Sequence, residues 1–434
     1  MMRALDRFFQ ISARQSTLGR ELLGGVTAFF AAAYLIVAIP GLLSQGGADA
    51  SAAMTAVCLA AALACLLTGL LSNLPFAAAP GLGFAAYFTH TLAQRCGYSR
   101  NEALALCFLS GLLFLMLSLS PLRQRLLDAI PMPFKFAVSA GVGLLITLSG
   151  LISAGLVTAQ DNLLDMGAIL SPGPLLALLG VFLTAALLLR KVPGAVLIGI
   201  AAVTALGVPL GVTLLPVHWT AAVELHLLLP DFGGVLNRGA LPLASALLGL
   251  LLSQSFDAVG TLLGVAGDAK MTDAAGDLPG SGRAMTAAAL STCAAALLGC
   301  SNAAPLAESA VGVREGARTG LAPVVTGLLF LAALPLSPLA GAIPGAATAA
   351  ALIVVGMMMM SGISQIHWVH VEVSLPCFLI IVGMPFTGSI TDGIALGCIS
   401  YVVVMVCRKR WAVIDPWMYA LAGMFALMYL LAAF

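Results

Sequence analysis

Charge is scarce in this chain. Asp, Glu, Lys and Arg make up 9% of its 434 residues and hydrophobic residues 61%, where soluble domains carry roughly a quarter charged residues. That excludes a large water-soluble core. There is no basic tract and no interleaving of basic with aromatic residues, so nucleic acid is excluded as a partner. The nine cysteines fall mostly in apolar stretches and lack CxxC spacing, which argues against a metal site or a disulfide framework. No metal and no cofactor is expected. The glycine-rich "PGLGF" (80–84) lacks the Gly-Lys-Ser/Thr ending of a phosphate loop. Residues 1–21 hold Arg3, Arg7, Arg14 and Arg20 but no apolar core, so they read as a cytoplasmic, amphipathic leader rather than a signal peptide.

What is present is a series of apolar runs of membrane-spanning length. They fall at about 22–43, 51–71, 75–92, 101–119, 134–156, 174–189 and 193–215, then 241–266, 284–300, 303–313, 320–336, 344–362, 371–386 and 390–407. A polar connector with His218, Glu224, His226, Asp231 and Arg238 separates the two sets of seven, and a further hydrophobic segment occupies 411–434. A barrel would instead alternate over short strands. With the N-terminus cytoplasmic, sixteen of the nineteen Lys and Arg fall on the inner side, leaving Arg95, Arg100 and Arg238 outside, as the positive-inside rule requires.

Seven segments per half bring the second half in from the opposite face, which is the arithmetic of an inverted repeat. Segments five and twelve both open on Ile-Pro and close on Ser-Gly. Segments three, "PFAAAPGLGFAAYF", and ten, "SNAAPLAESAVGV", are both short, rich in Ala and interrupted by proline, at Pro80 and Pro305. Paired broken segments at matching positions point to a transporter's binding site. The expected fold is therefore an all-α polytopic membrane protein with a 7+7 inverted repeat and two broken segments.

Two carboxylates lie inside apolar segments: Asp257 in "LLLSQSFDAVGTLLGVAG" and Glu308 in "CSNAAPLAESAVGV". An ionised acid at mid-membrane costs about 2.5–3.5 kcal/mol on insertion scales. No Lys or Arg stands at comparable depth in the sequence, so the acids are expected to face a polar cavity, to hold protons part of the time, or both. The five histidines lie near segment ends or in loops and rank below them.

Several stretches together resemble the AzgA-type purine permeases, nucleobase–cation symporters of the nucleobase-ascorbate transporter superfamily: "GGVTAFFAAAYLIVAIPGLLS", "SNLPFAAAPGLGFAAYFTHTL", "IPMPFKFAVSAGVGLL", "VPGAVLIGI", "SFDAVGTLLGVAG", "ESAVGVREGARTGLAPVVTGLL" and "TDGIALGCISYVV". The resemblance covers nearly the whole chain. It implies a core domain of segments one to four (22–119) and eight to eleven (241–336), and a gate domain of segments five to seven (134–215) and twelve to fourteen (344–407). It also implies proton-coupled import of adenine, guanine or hypoxanthine across the cell membrane, commonly by a homodimer. By position, Asp257 and Glu308 match the family's acids in segments eight and ten, as substrate and proton ligands, and Phe84 after Gly83 matches an aromatic that stacks on the base. Thr261, Ser309 and the backbone N–H groups near Leu306 and Ala307 are candidates for the remaining contacts, and Ala85 and Phe256 complete the set. The chain departs from the family at Ala85, Ile39 and Ala304 to Leu306, where polar residues are usual, and these losses lean toward adenine.

The alternatives are a carrier of uracil or xanthine, an anion carrier of the sulfate type on the same scaffold, and a channel or non-transporting receptor. A cation at the paired broken segments would favour the anion carrier, and a repeated pore-lining motif the channel. Neither is found in the sequence.

Overall fold

In hydrocarbon every backbone N–H and C=O needs a partner within the protein, so a chain that spans a bilayer is helical or a closed barrel. The computed structural model describes residues 2–433 apart from 121–130, 161–162, 191, 193, 214–228, 269–270, 272–277 and 336–342, and it is a bundle of helices. Among the described residues seven helices have the length and apolarity of a membrane span, and Ala195–Gly207, Leu321–Ala332 and Val371–Thr387 are shorter apolar helices. His218, Glu224 and His226 of the connector, and the segment ends Pro193, Leu215 and Leu336, lie outside the described residues.

The leader forms α1 (Met2–Phe9), and the first segment is split into α2 (Leu18–Ala32) and α3 (Leu35–Gln45). Then come α4 (Ala50–Ser72), β1 (Ala78–Pro80), α5 (Leu82–Ala86), a π-helix (Tyr87–Arg95) and α6 (Arg100–Leu119). The fifth to seventh segments are α7 (Met132–Ser153), α8 (Pro172–Leu189) and α9 (Ala195–Gly207), with a hairpin of β2 (Val157–Gln160) and β3 (Leu163–Met166) after α7. A short α10 (Phe232–Asn237) leads into α11 (Ala240–Asp268), α12 (Ser281–Leu297), β4 (Ala303–Pro305), α13 (Ser309–Arg314) and α14 (Leu321–Ala332). The last segments are α15 (Gly345–Met359) with a 3₁₀ extension, α16 (Val371–Thr387), α17 (Ile390–Cys407) and α18 (Pro416–Ala433).

The halves repeat one another in their packing. α6 packs on α12 as α14 packs on α4, and α6 on α11 as α14 on α2. Likewise α7 packs on α16 as α15 packs on α8, and α7 on α17 as α15 on α9. In each comparison the corresponding helices are seven segments apart, which is the signature of the 7+7 inverted repeat. The contacts fall into two groups of helices, one built from α2–α6 and α11–α14, the other from α7–α9 and α15–α17.

One departure from the sequence expectation stands out. The first segment is interrupted at Ala33 and Tyr34, where the N–H groups of Ile36 and Val37 turn back to Ala33 and Tyr34 carbonyls at 3.1 and 3.0 Å, whereas Pro40 lies within α3. The C-terminal segment forms α18, packed on α17. Its Tyr429 hydroxyl donates to Asp392 Oδ1 at 2.9 Å, near the start of α17, so α18 runs antiparallel to α17 and crosses to the face away from the N-terminus.

The leader is docked rather than free. Phe9 and Ile11 are buried against Leu321, and Arg14 Nη1 donates to the carbonyls of Asn73 at 2.6 Å and Arg318 at 3.2 Å. The fully buried carboxylate of Glu21 accepts from the N–H groups of Arg318 and Thr319 at 2.8 and 3.3 Å. On the opposite face Arg238 forks onto both Glu102 oxygens at 2.9 and 2.8 Å and lies over the Tyr98 ring.

Small residues set the helix crossings. A Cβ at Gly320 would run into the Gly69 carbonyl on α4, and one at Gly312 into the Gly24 carbonyl on α2. Such close approach is how helices associate where no water drives them together. Gly320→Val is therefore expected to cost about 1–3 kcal/mol or more, read as a lower melting temperature of the purified protein. Gly423→Val, whose Cβ meets nothing within 4 Å, is the control that leaves it unchanged.

Candidate substrate site

The site is built where the two broken segments meet. β1 and β4 pair antiparallel, with Ala78 opposite Pro305, Ala79 opposite Ala304 and Pro80 opposite Ala303. Each proline thus faces an alanine at an end of the ladder, and each missing N–H is lost symmetrically. Flanking bonds close the pairing: Gly81 N–H to Asn302 O at 3.0 Å and Leu306 N–H to Ala77 O at 2.8 Å. The Ser309 hydroxyl accepts from Ala77 N–H at 2.9 Å. On the other side, Thr292 Oγ1 donates to Ala303 O at 3.0 Å and accepts from Ala303 N–H at 3.1 Å.

A polar network carries this crossing onto α11. Gln254 Nε2 donates to Thr292 Oγ1 at 2.6 Å, and its Oε1 accepts from Asn302 Nδ2 at 2.9 Å. Asn302 Nδ2 also donates to Ser110 Oγ at 2.9 Å. Gln254, Thr292 and Asn302 are all fully buried. Gln254 sits one helical turn before Asp257, so the network fixes the part of α11 that presents the acid.

Both carboxylates look onto accessible space. Asp257 and Ala307 are exposed and Glu308 and Thr261 partly so, although α11 packs on α13 and the two acids lie within electrostatic reach of each other. Glu308 occupies the position just before α13. The Tyr34 hydroxyl donates to its Oε1 at 2.6 Å. Tyr34 itself is 4% exposed, so the break in the first segment aims a buried donor at the tenth.

The structure brings only part of the expected set to this space. Gly83 is partly exposed and stands against Val142 of α7, whose Cγ1 a Cβ there would meet at 2.8 Å. Phe84 is 4% exposed and its ring folds back over Gly81. Ala85 has no exposed surface, and neither does Ile39, so both departures from the family pattern lie in packed interior. The Leu306 N–H and the Ser309 hydroxyl are spent on Ala77, so neither is offered to a ligand in this conformation. The side chain of Phe256 lies outside the described residues. Tyr34, Gln254, Thr292 and Asn302 escaped the sequence reading. "FAAAYLIVAIP" reads as an ordinary apolar run, and the polar three are uncharged residues beside serines within apolar segments.

At the face away from the N-terminus the two helix groups are tied together. Tyr87, Thr91 and Arg95 recur every fourth residue along the π-helix, whose i→i+5 bonding turns more slowly than an α-helix and nearly aligns such residues. Tyr87 OH pairs with Thr391 Oγ1 at 2.8 Å and Thr91 Oγ1 donates to Gly388 O at 3.0 Å. Arg95 donates to Thr387 O at 2.9 Å and forms an ion pair with Asp392. His90 Nε2 meets Ser149 Oγ at 2.6 Å, and Gln45 donates to Ser153 Oγ at 3.1 Å.

Ser309→Ala would leave the buried Ala77 N–H without its partner. The expected loss is about 1–3 kcal/mol of stability, measured as a lower melting temperature, and an unchanged value would mean that the hydroxyl does not hold the two broken segments together.

The model of the Permease family matches residues 19–396. The chain is similar to the adenine permease AdeP of Escherichia coli (strain K12), 35% identical over 98% of this chain and 95% of the relative. It is equally similar to the guanine/hypoxanthine permease PbuO of Bacillus subtilis (strain 168), 35% identical over 96% and 98%. Among solved structures, the transmembrane domain of a cyanobacterium bicarbonate transporter, BicA, superposes with a TM-score of 0.67 at 17% identity, over 86% of this chain and 97% of that one. With the family model spanning most of its length and full-length relatives above 30% identity, the chain belongs to the Permease family, in the company of the adenine and guanine/hypoxanthine permeases that its motifs resemble.

Proposed function

We propose that this permease imports a purine nucleobase together with protons, with Asp257 and Glu308 as the substrate and proton ligands. The observation that carries the reading is the pair of acids itself: two carboxylates in apolar segments, Asp257 exposed and Glu308 partly so, beside the crossing of β1 and β4. A purine presents ring N–H and exocyclic amine donors along its edge, and carboxylates accept from them. An anion would be repelled by the same pair, so the likeness to a bicarbonate transporter supports the fold and not the cargo. The names of the similar relatives, adenine and guanine/hypoxanthine permeases, support the purine. Protonation of an acid whose membrane burial is costly supplies the coupling. The excess of Lys and Arg on one face supports a cytoplasmic N-terminus in the cell membrane, and a homodimer is the assembly the resemblance implies.

In this reading the group α2–α6 with α11–α14 is the core domain that carries the site, and α7–α9 with α15–α17 is the gate. Gly83 packed against Val142 lies at their contact. The hydrogen bonds from Tyr87, Thr91 and Arg95 to 387–392 shut the site toward the outer face, and the accessible acids belong to a state open toward the N-terminal face. This row of bonds holds the gate closed in this conformation and must part for the gate to reopen in each cycle.

Thermal stabilisation of the purified protein by adenine, guanine, hypoxanthine, xanthine, uracil and sulfate tests the cargo, since a ligand at a hundred times its Kd adds about 2.7 kcal/mol. A purine-specific shift that disappears in Asp257→Asn and in Glu308→Gln is expected. A shift with sulfate alone, or a purine shift untouched by both substitutions, would contradict the assignment. The closed outer face has its own test. Asp392→Asn, in a Cys96→Ser background, should raise several-fold the rate at which an impermeant maleimide applied from the outer face labels a cysteine placed at Ser149, and an unchanged rate would remove the gate from the account.

A further inference from the structure

We propose that Tyr34 is a positioning residue for the Glu308 carboxylate, fixing which oxygen meets the substrate and how readily the acid takes a proton; this rests on the function proposed above for Glu308. The geometry is specific. The Tyr34 hydroxyl donates to Oε1 at 2.6 Å, within the range of a charge-assisted O–H···O bond. The ring is 4% exposed while Glu308 is partly exposed, so the bond pins the carboxylate from the protein side and leaves Oε2 for the accessible side.

The backbone is arranged to deliver that hydroxyl. α2 ends at Ala32 and α3 begins at Leu35, and the Tyr34 carbonyl accepts from the N–H groups of Val37 and Ala38 at 3.0 and 2.9 Å. The tyrosine therefore sits at the start of α3, in the break itself. Behind it, α2 packs on α13, where Gly24 and Gly312 bring the backbones into contact. The close packing of α2 on α13 thus brings Tyr34 and Glu308, each at the end of a helix, within reach of one another.

The chemistry follows from the donor's direction. A hydroxyl that donates to a carboxylate favours the ionised acid, and the ionised acid is the better acceptor for a purine N–H. Other titratable groups around Glu308 are Asp257 on α11, Arg20 and Glu21 at the start of α2, and Arg314 and Glu315 at the far end of α13. Asp257 acts in the opposite sense, since a second negative charge disfavours ionisation of the first. Tyr34 offsets that repulsion and lets both acids serve one substrate.

Uptake of labelled purine into cells or proteoliposomes, measured over a range of concentration and pH, tests this. Tyr34→Phe keeps the ring and removes the donor. The expected result is a KM raised roughly tenfold with little change in maximal rate, the loss of one hydrogen bond to a charged group, and a pH profile displaced upward by about one unit. Site-specific 3-fluorotyrosine at position 34, isosteric and with a more acidic phenol, should displace the profile downward and covers the case in which Tyr34→Phe does not fold. If both variants keep the wild-type KM and pH profile while Glu308→Gln abolishes uptake, the inference on Tyr34 is overturned and the proposed function stands. If Glu308→Gln also transports as wild type, both fall.

Discussion

The antiparallel pairing of Ala78–Pro80 with Ala303–Pro305 is the constraint on which the site depends. A chain interrupted inside a bilayer leaves backbone donors and acceptors that lipid cannot satisfy. Here each broken segment supplies the other's partners, and the prolines at the two ends of the ladder reduce the number of donors that need one. Ser309, Thr292 and Cys65 complete the arrangement by bonding Ala77, Ala303 and Ala78. The crossing holds the two half-segments together while bonding backbone groups of Ala77 to Gly81 and Asn302 to Leu306 internally. The side chains with accessible surface at its border include Asp257 and Glu308.

That economy is why the proposed function rests on side chains rather than backbone. The expectation that N–H groups at Leu306 and the Ser309 hydroxyl would meet the substrate assumed a free half-helix end. In the structure the turn from Leu306 to Ser309 is already bonded: Leu306 N–H to Ala77 O, and Ser309 N–H to Leu306 O at 3.1 Å. In the proposed function, carboxylates from α11 and the start of α13 place recognition on groups that can change charge, as coupling to protons requires.

Much of the scaffold was legible because membrane spans write themselves in composition. The fourth, sixth and fourteenth segments agree with α6, α8 and α17 to within about two residues, and the pairing of segments three and ten was visible in their prolines. The acids stood out because charge is costly in apolar runs. Other features had no local signal. The first segment reads as one continuous run, but the chain parts at Ala33 and Tyr34, while α3 accommodates Pro40 within its own length. The Tyr34–Glu308 bond joins residues 274 apart, and the Arg95–Asp392 pair residues 297 apart. Only the packing of one repeat on the other makes such partners, and a single residue's type does not reveal it. The leader's docking through Phe9, Ile11 and Arg14 is of the same kind.

The central claim is that the two accessible acids couple purine movement to protons. It is tested most directly by purine accumulation in proteoliposomes under an imposed pH gradient. The account predicts that adenine, guanine or hypoxanthine accumulates above its external concentration only when the medium on the outer face is the more acidic, and that a protonophore collapses the accumulation. Accumulation that ignores the pH gradient, or that persists in the Asp257→Asn, Glu308→Gln double variant, would contradict it.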